Sequence, residues 1–353
     1  KCYLQSYLSE LLMTYKVGIV GYGVVGKRRH SAIKKIPGFK VTALSDISFG
    51  EESKFEGLKC YSDFKDLIDD KTIDVLFISL PNNFAAEATL MGLKRGMHVF
   101  CEKPPAKSLR ELKPIENFMK DSNLKLMYGF NHRFHSSIIK AKQIIDRYEL
   151  GKIINMKGIY GKSKMISFNQ TDWRTEREKS GGGILLDQGI HMLDLMNYFA
   201  GRFNKIFSII KNSYWNYDVE DNAFVLMENN NGVVAQLHSS ATQWRHTFKL
   251  EITLERGSLV LGGLLTSSKS YGNETLKIIS SDPDNDKGDP NEEVFKFDED
   301  VSWDLEVASF TDAIRNSDNI VNGSIKQAIE IMDLIEKIYK SDPEWKEKYY
   351  KND

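Results

Sequence analysis

Along the first third of the chain, short apolar runs alternate with longer segments whose apolar residues recur at helical spacing. Tyr15–Val20 is a short β run ending in glycines, and Val24–Lys35 has a helical pattern that stops before Pro37 and Gly38. Phe39–Ser45, Asp74–Ser79, Met97–Cys101 and Lys125–Tyr128 read as strands, with helices at Ala85–Arg95 and Leu109–Asp121. Strand–helix alternation with short links predicts a doubly wound parallel sheet with right-handed crossovers.

The pattern changes after about residue 150. Residues 152–164 read as a long strand, and Ile184–Phe199 as a strongly apolar helix. Alternating segments follow at Phe203–Trp215, Ala223–Met227, Val233–Ser240, Phe248–Leu254 and Ser258–Leu261. They predict an α+β domain with a large, mostly antiparallel sheet. Residues 262–300, rich in Gly, Ser, Asp and Asn, are expected as exposed hairpin loops. Two amphipathic helices near 301–315 and 324–339 close the chain, and no internal repeat is visible. The expected division is an extension over 1–12, a Rossmann domain over 13–132 and a substrate-binding and oligomerisation domain over 133–353. Met13 reads like a natural start, and residues 1–12 lack the basic region and cleavage site of a secretory signal.

Composition narrows the function classes. A chain of 353 residues suits two domains. A net charge of −1 gives no global basic field for nucleic acid or an anionic membrane. No apolar run approaches the roughly 18 residues of a membrane span. Cys2, Cys60 and Cys101 form no CxxC or metal-type spacing, which suits a reducing, cytoplasmic setting.

Gly21-Tyr22-Gly23-Val24-Val25-Gly26 follows the first strand and opens the first helix. In that context the first glycine makes the tight turn, the second admits a pyrophosphate, and the third lets helix and strand pack closely. The helix start favours the phosphates. Asp46, 20 residues after Gly26, ends the second strand. There its carboxylate accepts from the ribose hydroxyls and repels a 2′-phosphate, which favours NAD over NADP; a turn or cap role is the plain alternative. Arg28 and Arg29 count the other way, since either is of a type that reaches a 2′-phosphate.

Two further clusters carry chemistry. Glu102-Lys103-Pro104-Pro105 follows the strand Met97–Cys101, whose carboxyl end opens into the ligand crevice of a doubly wound sheet. Pro104 restrains Lys103 to an extended backbone, so the lysine is either projected rigidly at a ligand or a surface residue in a turn. In Gly181-Gly182-Gly183-Ile184-Leu185-Leu186-Asp187-Gln188-Gly189-Ile190-His191, the acid and the histidine are four apart and share a helix face, with Asp194 near it. The glycines permit close approach at the helix start, where Asp187 is stabilised as an anion. His191 beside a carboxylate suits a base near neutral pH, and the same spacing suits a buried structural pair. For a metal the pair offers only two ligands, so none is expected.

In these segments the chain resembles the Gfo/Idh/MocA oxidoreductases, which include glucose-fructose oxidoreductase, inositol dehydrogenases and nucleotide-sugar dehydrogenases. The resemblance runs from Tyr15 to the last helices and is carried by Val17–Gly23, by Gly96–Pro104, and by Gly181–His191 followed by Asp194. It implies that His191 takes the proton from a substrate hydroxyl, that Lys103 hydrogen-bonds the same oxygen, and that Asp187 orients the pair. It also implies cofactor contacts at Ser79, Leu80, Asn82, Glu102 and Lys103 beside the glycine turn, no metal, and a homodimer or homotetramer. Two segments depart from the family pattern: Ala85 stands where a histidine is usual, and Asn131-His132-Arg133-Phe134-His135-Ser136 lacks a proline. Arg133, Trp173 and Arg174 are candidate substrate contacts, the tryptophan for a sugar face and the arginines for a phosphate or carboxylate; each residue type also suits packing or surface.

The expected function is hydride transfer between NAD and a secondary alcohol of a sugar, cyclitol or nucleotide-linked sugar. An NAD-dependent glycosidase with tightly held cofactor, and a non-catalytic dinucleotide-binding protein, are the alternatives.

Overall fold

The structure is a computed structural model that describes residues 14–50, 54–164, 172–266, 269–281, 284 and 288–351. The expected extension at 1–12 lies outside the described residues. The chain divides into two compact units. The first gathers the residues up to Ala106, Arg110–Phe130 and Trp303–Ala328; the second gathers Lys107–Leu109, Asn131–Ser302 and the residues from Ile329 on.

The first unit is built on a seven-stranded sheet: β1 (Tyr15–Val20), β2 (Phe39–Ser45), β3 (Lys54–Phe55), β4 (Leu58–Tyr61), β5 (Val75–Ile78), β6 (His98–Glu102) and β7 (Leu126–Gly129). The spatial order is β3-β4-β2-β1-β5-β6-β7. All neighbours run parallel except the short pair β3–β4. All four residues of β5 are buried, as expected of a parallel strand covered on both faces. The strand order reverses beside β1, which places the β1 and β5 carboxyl ends at the switch point where such sheets bind ligands.

Trp303–Ala328 packs with this unit, whereas the sequence division placed it in the second domain. The reason is local chemistry. Phe310 meets Phe77 and Phe100 edge-on at 5.7 and 5.6 Å, and Glu306 pairs with Arg29. A helix on the far side of a long insertion carries no mark of this return in its own periodicity.

The second unit holds an eight-stranded sheet: β8 (Ile153–Gly161), β9 (Phe203–Lys211), β10 (Asn222–Asn229), β11 (Val234–Ser240), β12 (Thr247–Leu254), β13 (Gly257–Gly262), β14 (Glu274–Ser280) and β15 (Asn291–Phe297). The order is β15-β14-β13-β12-β8-β11-β10-β9, antiparallel throughout except for β8 with β11. The helix Ile190–Ala200 packs on β8, and a Cβ at Gly158 would lie 2.7 Å from Met196 and 3.0 Å from Met192. The glycine is what lets the helix approach. Strands β14 and β15 correct the expectation of loops over 262–300. β14 keeps the alternation, with Glu274 and Leu276 buried, but β15 is a mostly exposed edge rich in charge, a composition that reads as loop. A third closing helix, Pro343–Tyr349, also went unforeseen; it starts on the Asp342 cap. Among the described residues no helix is long and apolar enough to cross a membrane.

Candidate functional site

The glycine turn has three different environments. Gly21 has φ +82°, and a Cβ there would lie 2.3 Å from the Ser79 carbonyl oxygen. At Gly26 a Cβ would lie 2.0 Å from the Gly21 oxygen. At Gly23 it would meet nothing within 4 Å. The first and third glycines therefore close the turn, and the second leaves a cradle of bare backbone. The amides of Val24, Val25 and Gly26 precede the first bond of the helix Val24–Ile33, from Lys27 N–H to the Gly23 oxygen at 3.0 Å. Ser79 Oγ is buried beside this turn, with no partner among the described residues. Open space, early helix amides and an unmatched hydroxyl fit a dinucleotide pyrophosphate.

Asp46 lies directly behind the turn. Its Oδ2 accepts from Tyr22 N–H at 2.8 Å, and its Oδ1 from the Ser48 amide and hydroxyl at 3.0 and 2.7 Å. A carboxylate accepts about four bonds, so this one holds the turn and keeps capacity for ribose hydroxyls. The Tyr22 side chain faces inward, its hydroxyl 2.7 Å from His30 Nδ1, so this residue supports the turn rather than presenting a side chain to a ligand. Leu80 follows Ser79, and Asn82 opens the helix Asn82–Lys94 behind Pro81.

Arg29 is fully buried. It bonds Glu102 and Glu306 at 2.6 Å each, with its guanidinium 4.4 Å from the Phe100 ring and 4.3 Å from the Trp303 ring. Burial works against its charge, but the two carboxylates outweigh burial and keep it cationic. The thought that Arg29 reaches a 2′-phosphate is thereby corrected; Arg28 lies over the same Trp303 ring at 5.2 Å. Glu102, expected at the cofactor, is instead held by Arg29 through a 2.6 Å bond, in a niche that opens because residue 129 is glycine. This ion pair fixes the end of β6, where Lys103 follows. The Lys103–Pro104 peptide is cis, which the sequence did not foretell. Burial pushes the neighbouring Cys101 thiol up to about 12, so it stays a neutral core group.

In the second unit, the triple glycine receives three different groups. A Cβ at Gly181 would meet the Lys107 backbone, one at Gly182 the Tyr339 hydroxyl, and one at Gly183 the Glu220 carbonyl oxygen. The buried Glu220 carboxylate accepts from Gly183 and Leu185 N–H at 2.8–3.0 Å and from the Tyr339 hydroxyl at 2.8 Å. It caps the segment that carries Asp187. Leu185–Gly189 is a π turn rather than the α-helix expected from Ile184, and the α-helix runs Ile190–Ala200. Wide turns of this kind occur often at functional sites.

Asp187 Oδ2 accepts from Lys162 Nζ at 2.9 Å, and Arg174 Nε lies 3.8 Å from Oδ1. Arg174 in turn rests over the Trp173 ring at 4.4 Å, so two of the three expected substrate contacts gather at Asp187. Arg133 does not join them. Its guanidinium forks onto Asp194 with Nε–Oδ2 2.8 Å and a second bond of 2.6 Å, both partners buried. That bidentate pair ties the 3-10 turn Asn131–Phe134 to the helix Ile190–Ala200, so Arg133 positions an element instead of reaching a substrate. His191 is 5% exposed, and its ring stacks on His132 with centroids 3.7 Å apart and planes 15° from parallel.

His132, Tyr160, Lys162 and Tyr271 were missed by sequence reasoning. His132 lies in the 3-10 turn Asn131–Phe134, and Tyr160 and Lys162 lie at the end of β8 and just after it, a strand whose register is set by pairing with β11 and β12. For Tyr160 and Lys162 only the residue types, at the end of a long strand, could have signalled them; His132 lies in a turn and Tyr271 in the link between β13 and β14, where periodicity carries no signal.

Residues 15–130 match "Oxidoreductase family, NAD-binding Rossmann fold" and residues 138–260 match "GFO/IDH/MocA C-terminal domain". The chain belongs to the GFO/IDH/MocA oxidoreductase family. Its Rossmann unit is the family's NAD-binding domain. Levoglucosan dehydrogenase of Pseudarthrobacter phenanthrenivorans is 29% identical over 212 residues, 56% of this chain and 54% of that protein. Inositol 2-dehydrogenase of Salmonella typhimurium is 26% identical over 257 residues, 69% of this chain and 73% of that one. Glucose-6-phosphate 3-dehydrogenase of Bacillus subtilis is 29% identical over 52% of this chain and 53% of its own length. The chain thus aligns with about half the length of two of these relatives. A solved levoglucosan dehydrogenase in complex with NADH superposes with TM-score 0.83 and 20% identity, over 94% of this GFO/IDH/MocA chain and 98% of that one, a likeness of fold.

Proposed function

We propose that this protein is an NAD-dependent dehydrogenase that oxidises a secondary hydroxyl of a cyclic polyol, a sugar, cyclitol or nucleotide-linked sugar. The reading is carried by one observation above all: a buried imidazole, His191, at the start of the helix Ile190–Ala200, stands four residues after a carboxylate, Asp187, that lies in the preceding π turn and is itself held by Lys162 and Arg174. The substrates named in three relatives, levoglucosan, inositol and glucose 6-phosphate, share the ring hydroxyl such a group would deprotonate.

Gly21–Gly26, Asp46, Ser79, Leu80 and Asn82 would hold the dinucleotide, whose nicotinamide supplies the hydride acceptor. His191 would take the hydroxyl proton, and Lys103 would donate a hydrogen bond to the same oxygen and stabilise its growing negative charge. Asp187 would orient His191 and Lys103 toward that oxygen, while the ion pair with Lys162 holds the carboxylate in one rotamer. Trp173 offers an aromatic face for the sugar ring, and Arg174 a donor fork. Asp46 favours NAD over NADP.

A homodimer or homotetramer is part of the proposal. Phe207 and Leu226, and Ile209 and Phe224, are cross-strand pairs on one open face of the second sheet, and all four are exposed. The partner is another copy, with no role for nucleic acid or membrane. Cys60 and Cys101 are free thiols, in keeping with a cytoplasmic setting.

The test is a screen of sugars, cyclitols and nucleotide sugars with NAD and NADP side by side, reading NADH fluorescence. At least one polyol should yield NADH, with NAD preferred by about tenfold or more. Glycosidic cleavage without net NADH, or no turnover of any polyol, would contradict the proposal.

A further inference from the structure

The helix Pro343–Tyr349 and the residues beside it gather four aromatic rings around one guanidinium in the second unit. Arg177 Cζ lies 4.1 Å from the Tyr349 ring centre, 5.5 Å from Tyr350, 5.6 Å from Tyr339 and 5.7 Å from Trp345. Its Nη2 donates to the Tyr350 hydroxyl at 3.1 Å, and its buried Nη1 has no hydrogen-bond partner among the described residues. Ring faces therefore hold much of this cation. The rings also brace one another: Trp345 lies 4.7 Å from Tyr349, and Tyr339 lies 6.2 Å from Tyr350 with planes 22° apart. The cage is fastened to the sheet through Asp342. One oxygen of that carboxylate caps the helix, accepting from Trp345 N–H at 2.8 Å, and the other accepts from Ile210 N–H of β9 at 2.7 Å.

Two lines of bonds run from this cage toward Asp187. Arg177 opens the short helix Arg177–Ser180, just after the 3-10 turn Asp172–Thr175 that carries Trp173 and Arg174. Its amide donates to Asp218 Oδ2 at 3.0 Å, and the Asp218 amide donates to the Thr175 oxygen at 3.2 Å. The Tyr349 hydroxyl, from the cage itself, donates to the Asp218 carbonyl oxygen at 3.4 Å. The second line is the Tyr339 hydroxyl on Glu220, whose carboxylate holds the Gly183 and Leu185 amides. The first line fixes the turn whose Arg174 faces Asp187, and the second fixes the turn that contains Asp187.

We infer that Arg177 is a positioning residue for the substrate edge of the site: caged by the four rings, it holds the Trp173–Arg174 turn in place beside Asp187. That these two side chains meet a polyol rests on the proposed function; that Arg177 pins their turn does not. The Tyr339–Glu220 line does not pass through Arg177. Loss of the guanidinium therefore frees the Trp173–Arg174 turn and leaves Asp187 and His191 where they are. Groups that bind the substrate away from the reacting carbon act on ground state and transition state alike, so their displacement raises KM more than it lowers kcat.

Arg177→Met in the full chain tests this, since it keeps an apolar stem of similar reach and removes the charge and the donors. Hydrogen exchange read by mass spectrometry needs no substrate. Peptides over residues 172–180 should exchange about tenfold faster or more in the variant, while those over 185–200 and over β1 and β5 keep their rates. With a polyol that reduces NAD, KM for the polyol should rise by about tenfold, kcat should fall by less than about threefold, and NAD should bind as before by calorimetry. Arg177→Lys restores the charge without the planar fork and should recover part of the lost KM. Tyr349→Leu, which removes one half-buried ring and leaves Arg177 intact, should move the same peptides and KM in the same direction by a smaller factor. Unchanged exchange over 172–180 in Arg177→Met overturns the inference. So does an unchanged KM, or a loss of NAD affinity and kcat together with KM, which is the mark of general unfolding. If exchange responds as described while no polyol reduces NAD in the unmodified protein, the pinning stands and it is the proposed function that fails.

Discussion

A methyl group added at Gly23 would meet no atom within 4 Å, whereas one at Gly21 would lie 2.3 Å from the Ser79 carbonyl oxygen, on a backbone with φ +82°. These two glycines therefore separate folding from binding. Gly21→Ala should lower stability by about 2 kcal/mol or more, from the left-handed backbone and the clash. Gly23→Ala should change stability by only about 0.5 kcal/mol, yet weaken NAD by about tenfold or more, because the methyl would occupy the phosphate approach. Denaturant titration and calorimetry with NAD check the pair; NAD binding unchanged in Gly23→Ala would remove the cradle from the account. At this scale the sequence was most informative where backbone geometry dictates residue type. Gly21, Gly23 and Gly26 take the environments their spacing required. It was least informative for long polar side chains. Arg29, Arg133 and Glu102 look like ligand-binding groups in a sequence, and only the fold shows them matched to Glu306, Asp194 and Arg29.

Elements were legible where periodicity is clean. β1, β2 and β5 lie close to where the apolar runs placed them, because a parallel strand covered on both faces must be apolar throughout. The edge strand β15 and the π turn at Leu185–Gly189 were not legible, since the first is dominated by exposed charge and the second depends on Glu220, far along the chain. A second acid of this kind, Asp221, organises the turn after β9. It is buried, and accepts from the amides of Ser213, Tyr214 and Trp215 at 2.7–3.0 Å. Burial pushes its carboxyl up, but these amide bonds outweigh burial and hold it below the usual range. A depressed folded value means that its stabilisation is present above about pH 4 and is lost as the pH falls through the folded value. Asp221→Asn should cost about 2 kcal/mol at neutral pH, and less under acid. Urea melts at both pH values check this; equal losses at the two would show that the charge is not what holds the turn.

For the whole molecule, the strand–helix alternation followed by long alternating strands was enough to foresee a Rossmann domain joined to a large sheet. The return of Trp303–Ala328 to the first unit was not, because chain order carries no trace of it. The proposed oligomer belongs to this scale. Phe207→Glu, on the open face of the second sheet, should reduce the mass measured by light scattering toward that of a single chain without loss of secondary structure, and an unchanged mass would move the interface elsewhere.

The central claim is that Lys103 and His191 serve the same hydroxyl beside bound NAD, and it is tested most directly by Lys103→Met with a polyol that the screen has identified. The account predicts that calorimetry finds NAD bound as in the unmodified protein while the rate of NADH formation drops by about a hundredfold or more. Turnover at the unmodified rate would contradict it.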